Sequence, residues 1–96
     1  MASKKFGSYT SVANTDSTLF TVPVGKAAVF NLNACNQTTT ACTVRILVGG
    51  DAIEYDTPLS ANGILERTGL IAGASEVISV RASIAGVVFR AYGMEE

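Results

Sequence analysis

Short runs of alternating apolar and polar residues, each closed by glycine, proline, asparagine or serine, recur along the whole chain. Alternation with a period of two marks a half-buried β-strand, because successive side chains leave opposite faces. The cleanest case is Ala27 to Cys35, where Phe30, Leu32 and Ala34 alternate with Asn31, Asn33 and Cys35. That run predicts one buried face and one that is polar but uncharged. The same reading predicts strands at Phe6 to Val12, Thr18 to Val22, Cys42 to Val48, Ala52 to Asp56, Ile64 to Leu70, Glu76 to Ala82 and Val87 to Met94. Turn chemistry separates them: Asn14-Thr15-Asp16-Ser17, Pro23 with Gly25, the loop Asn36 to Ala41, Gly49-Gly50-Asp51, then Pro58, Asn62 and Gly63, Gly73-Ala74-Ser75, and Gly86. The Gly49-Gly50-Asp51 turn is read as a hairpin. No stretch carries a helical stripe of useful length. The expectation is a single-domain antiparallel β-sandwich of the all-β class, jelly-roll-like, with about eight short strands and a short N-terminal arm over about residues 1–6.

Composition sharpens this picture. The 96 residues have room for one core. Hydrophobic residues make up 48% and charged residues 16%, against the roughly 25% charge of ordinary soluble domains. A small domain has much surface for its volume, so a shortage of charge points to apolar surface covered by partners. No charged residue occurs between Lys26 and Arg45. Two readings fit that stretch: a doubly covered central strand, or a contact surface whose Asn and Thr residues bind a partner without desolvating a charge. The net charge of −1 provides no field to attract nucleic acid. Lys4 and Lys5 begin the chain and Glu95 and Glu96 end it, as solvated tails within reach of a neighbouring subunit. The first residues lack the apolar segment of a signal peptide, and no run approaches the roughly 18 apolar residues of a membrane span. Synthesis in a cytoplasm is therefore expected, and the sequon Asn36-Gln37-Thr38 is read as incidental.

Candidate chemistry is sparse. The chain has no histidine and two cysteines, which leaves the usual neutral-pH base and a four-ligand zinc site without residues. No phosphate-cradling glycine motif is present. No cofactor or metal is expected, and no enzyme. Strand parity sends Cys35 to the polar side and Cys42 to the core, so both are expected as free thiols. Asp51, Glu54 and Asp56 form the best carboxylate cluster; Glu54 and Asp56 are expected on a solvated outer face, opposite Ile53 and Tyr55. Arg45, Arg67, Arg81 and Arg90 are all expected to point outward. With Tyr9 and Tyr92 they could line a nucleic-acid groove, but the acidic total favours cross-strand or intersubunit pairing, for example with Glu66 or Glu76.

Three segments occur as a set: Thr21-Val22-Pro23-Val24-Gly25-Lys26, Leu65-Glu66-Arg67-Thr68-Gly69-Leu70, and Val77-Ile78-Ser79-Val80-Arg81-Ala82 leading to Val88-Phe89-Arg90-Ala91-Tyr92-Gly93. Together they resemble small β-sandwich accessory proteins of tailed bacteriophage virions, namely capsid cement (decoration) proteins and short tail-associated proteins. The resemblance covers most of the chain from Thr21 onward and rests on turn chemistry and strand alternation. It implies a virion structural protein, made in the host cytoplasm, that binds the outer capsid surface as a homo-oligomer. A trimer is expected over a dimer, with a major capsid protein as the second partner and neither nucleic acid nor membrane. Such proteins act through whole surfaces, so no family residue is carried over singly. The residues expected at protein interfaces are Lys4, Lys5, Phe6, Arg45, Leu47, Arg67, Arg81, Arg90 and Tyr92. The alternative is a tail- or fibre-associated adaptor, or a glycan- or receptor-binding module using loop Tyr and Asn side chains.

Overall fold

Each alternating run becomes a strand in the computed structural model, which describes residues 3–96. The strands are β1 (Lys4–Thr10), β2 (Ser17–Thr21), β3 (Ala28–Asn36), β4 (Cys42–Val48), β5 (Asp51–Leu59), β6 (Ile64–Ala72), β7 (Val77–Ala82) and β8 (Val87–Glu95). They form two four-stranded sheets, one ordered β1-β8-β3-β6 and the other β2-β7-β4-β5, with every pairing antiparallel. The first is called sheet A below and the second sheet B. Every connection except β4–β5 crosses from one sheet to the other, which is the double Greek key of a jelly roll. The expected eight-stranded antiparallel sandwich is therefore present.

The alternation decides which faces meet. Phe30, Leu32, Phe89 and Ala91 of sheet A, with Val44, Ile46, Ile78 and Val80 of sheet B, are all buried in one core between the sheets. Burying a side chain of Leu, Ile, Val or Phe size contributes about 1.5–3 kcal/mol, so the inner rows hold the sheets face to face. β3 lies second from one edge of sheet A and only its inner face is covered. The charge-free stretch is thus not doubly buried within the chain. Its outer side, with Val29, Asn31, Asn33 and Cys35, meets solvent in part or in full.

The hairpin expected at Gly49-Gly50 is present: both residues have positive φ, 59° and 88°, as a two-residue I′ turn requires. At one side of the sandwich β1 crosses close to β2. A Cβ on Gly7 would run into the Leu19 carbonyl, so glycine lets the two edges approach. Phe6 and Phe20 stack there with ring centres 4.8 Å apart, and Phe20 meets Phe30 edge-on at 5.1 Å.

Several expectations at strand ends change. β1 begins at Lys4, so Lys4, Lys5 and Phe6 are strand residues, Lys4 and Lys5 paired to β8 and Phe6 at a bulge, and only the part of the expected arm at residues 1 and 2 lies outside the described residues. β5 runs through Pro58, expected in the following connection. Proline is tolerated there because β5 is an edge strand, with one neighbour only. Asn36, expected in a loop, closes β3.

Candidate functional site

The nine residues expected at interfaces do not form one patch. Arg45, Leu47 and Arg81 lie on the outer face of sheet B, and Lys5, Arg90 and Tyr92 on the outer face of sheet A. Lys4 sits beside the terminal strand, its Nζ 3.3 Å from Glu95 Oε1. Phe6 turns into the sandwich, and Arg67, its side chain still 43% exposed, leans towards the opposite sheet.

On sheet B, Arg45 and Arg81 are direct cross-strand partners. Like charges so placed repel, and a carboxylate relieves each of them. Arg45 donates to both Asp56 oxygens, at 2.7 and 3.2 Å, while its guanidinium lies 4.2 Å from the centre of the Tyr55 ring. Arg81 reaches Asp16 at 3.4 Å. The hydrogen bond from Arg45 holds Asp56 below the usual carboxylate range, and the same bond pushes Arg45 upward. Between these groups a polar hollow of about 40 Å³ is lined by Asn14, Thr43, Arg45, Asp56, Arg81 and Ser83.

Three expectations need correction. Glu54 and Asp56 do not share a solvated outer face. β5 is bulged twice against β4: Val44 pairs Thr57, Ile46 pairs Glu54 and Leu47 pairs Ala52, which leaves Tyr55 and Asp56 opposite Arg45. An extra residue shifts the side-chain parity, so Glu54 turns inward and is only 7% exposed, while Ile53 and Tyr55 face solvent. Nor does Arg67 point outward. It pairs with Leu32, whose side chain is in the core, and its guanidinium reaches across to the Glu54 carboxylate on the other sheet. Thr57 donates a second hydrogen bond to Glu54, 2.7 Å. This pair closes the sandwich on the β5–β6 side. Phe6 is the third reassigned residue. It enters the aromatic stack because a bulge between Lys5 and Gly7 turns it inward.

Sheet A presents a different outer face. Across β6, β3 and β8, Ile71, Val29 and Met94 form one row, exposed by 71%, 51% and 42%. A shallow apolar hollow of about 140 Å³ adjoins it, lined by Ala27, Val29, Met94 and Glu96. At the opposite end Ile64, Cys35 and Val88 form another row. Between them lie Asn31 beside Tyr92, and Glu66, Asn33 and Arg90 side by side. Tyr92 donates to Glu66 at 3.4 Å, and Asn31 accepts from the Gly69 N–H at 3.1 Å. Arg90 has no carboxylate partner among the described residues.

Both cysteines are free, as parity predicts: Cys35 is partly exposed on sheet A and Cys42 is buried. Burial pushes the Cys42 thiol upward, so it stays protonated. Among the described residues no three metal-ligating side chains come together, and no helix is long and apolar enough to cross a membrane.

Reading the sequence missed Asn36. Its amide is fully buried and joins the loop after β3 to the turn before β6. Parity contained the signal, since Asn36 continues the inward series Leu32, Ala34. Compared with protein-family models and with curated proteins, the chain matches none.

Proposed function

We propose that this chain is a capsid cement protein of a tailed-bacteriophage virion, an oligomer that binds the outer capsid surface and stabilises the assembled lattice. The observation that carries the reading is the outer face of sheet A, which leaves Val29, Ile64, Ile71 and Met94 in solvent in a chain with only 16% charged residues. Exposed apolar rows of this kind mark surfaces that partners cover. The resemblance of Thr21 to Lys26, Leu65 to Leu70, and Val77 to Ala82 with Val88 to Gly93, to virion accessory proteins supplies the partner class.

The mechanism is mass action. A protein that binds the assembled lattice and not its free subunits stabilises the lattice by its binding free energy, about 2.7 kcal/mol per site at a hundredfold excess over Kd. An oligomer adds avidity, because the second contact is made at high effective concentration.

The test is co-sedimentation of the purified chain with intact capsids and, separately, with detached tails of its source phage. Saturable binding to capsids, together with a higher capsid melting temperature, is the expected result. Binding to tails alone overturns the cement reading in favour of a tail adaptor, and binding to neither removes the virion role. One observation favours a glycan- or receptor-binding module: the polar hollow at Arg45, Asp56 and Arg81 lies beside the exposed Tyr55 ring. Specific signals on a glycan array, lost in Tyr55→Ala, would establish it instead.

A further inference from the structure

The outer face of sheet A reads as a palindrome along its strands. At one end is the apolar row Ile71, Val29, Met94; next comes the polar row Asn31, Tyr92, Lys5; then Glu66, Asn33, Arg90, Ser8; and at the far end the mostly apolar row Ile64, Cys35, Val88, Thr10. An isologous interface brings one patch against itself, so each feature must find its partner under a two-fold rotation. We infer that two copies of this chain stack sheet A on sheet A about a two-fold axis perpendicular to the strands, each strand lying over its own reversed copy.

That rotation matches like with like. Val29 meets Cys35 of the second copy, Ile71 meets Ile64, and Met94 meets Val88, so both apolar ends leave water together. In the middle Asn31 meets Asn33, amide against amide, and Arg90 meets the Tyr92 ring of the other copy. Arg90 is exposed and without a carboxylate partner among the described residues, and an aromatic face is a favourable seat for a guanidinium. No charge lies directly over a like charge: Lys5 meets Ser8 of the other copy, diagonal to its Arg90. Sheet B offers no such symmetry: its outer face pairs Arg45 with Arg81 at one end and Leu47 with Ser79 further along.

The area is adequate. β3 and β6 are each nine residues long. At ~4.8 Å between strands and ~3.3 Å per residue, a four-stranded face covers roughly 600 Å² in projection. Specific interfaces at the small end of standard size bury about 600 Å² per partner, and the relief of the side chains adds to the projected figure. A micromolar dimer is expected, two-fold where the family resemblance implied a trimer. The inference rests on the assembly reading for its purpose, though not for its geometry.

Sedimentation equilibrium from about 1 to 500 μM tests it. The wild-type chain should pass from monomer to dimer, and Val29→Lys with Ile71→Lys should stay monomeric at every concentration with an unchanged far-UV spectrum. Val24→Lys, in an exposed turn, and Val77→Lys, on sheet B, should dimerise as wild type. A second readout needs no variant: alkylation of Cys35 should slow several-fold above the dimer midpoint. A trimer, a monomer throughout, a dimer that survives both lysines, or Cys35 labelling that ignores concentration would each overturn the interface. A chain that is monomeric yet co-sediments with capsids sinks this interface alone. A dimer that binds no particle sinks the virion reading and leaves the interface standing.

Discussion

Asn36 stands at the end of β3 on its core-facing side, with its side chain fully buried. A buried amide costs free energy unless each of its groups is paired. Here Nδ2 donates to the Thr40 carbonyl at 2.8 Å and the Ser60 carbonyl at 3.1 Å, while Oδ1 accepts from the Thr38 N–H at 3.0 Å and the Thr38 hydroxyl at 2.7 Å. One side chain thus does for two loops what a strand does for a ladder. Asn36→Ala leaves the Thr38 N–H without its acceptor, while the Thr40 and Ser60 carbonyls each keep one other donor, and it should cost about 1–3 kcal/mol in urea denaturation. A cost under about 0.5 kcal/mol would show that water replaces the amide easily. The same geometry keeps the sequon nitrogen engaged inside the folded chain, whatever compartment it meets. Parity alone places Asn36 inward. A polar residue followed by Gln37 and three threonines also matches the composition of a loop, and composition is the weaker guide where one side chain can satisfy the local backbone.

In the strands at the middle of a sheet, alternation gave the facing of the side chains as well as the strand; in the edge strands β5 and β6 it gave the strand but not the facing. β3, β4, β7 and β8 each have two hydrogen-bonded neighbours, which hold a regular pleat and keep the period at two. β5 has one neighbour and departs from it twice, with Asp56 at φ 52°, and β6 shifts register between Arg67 and Leu70. Each bulge moves the following side chains to the other face, and its position depends on pairing that the local sequence does not display. The consequence is the Glu54–Arg67 pair across the open side of the sandwich. Glu54 is buried and Arg67 partly exposed, its side chain at 43%. Removing the partner of a buried charge costs more than the pair contributes. Arg67→Met should therefore destabilise by about 2–3 kcal/mol, and adding Glu54→Leu should recover most of that loss. Equal and additive losses in the two single variants and the double one would show that the ions act independently.

At the scale of the whole molecule, the number of strands could be counted from turn residues, but their order could not, because five of the six ladders join segments far apart in the chain. β8 is inserted between β1 and β3, pairing Lys4 with Gly93 and Ala28 with Glu95. Only β4–β5 closes as a local hairpin. Sandwiches dominated by such distant pairings fold in milliseconds to seconds, since loop closure must come before the contacts that offset it. β8 also supplies Val88, Arg90, Tyr92 and Met94 to the outer face of sheet A, so that face is incomplete until the last strand is seated. Folding and self-association are therefore ordered events. Stopped-flow refolding followed by tyrosine fluorescence should show a first phase between about 1 ms and 1 s whose rate does not change with protein concentration. A slower phase, second order in chain, should appear only in the micromolar range where the dimer forms. Acceleration of the first phase with concentration would mean that copies meet before β8 is in place, and the palindromic face could not then be what they recognise.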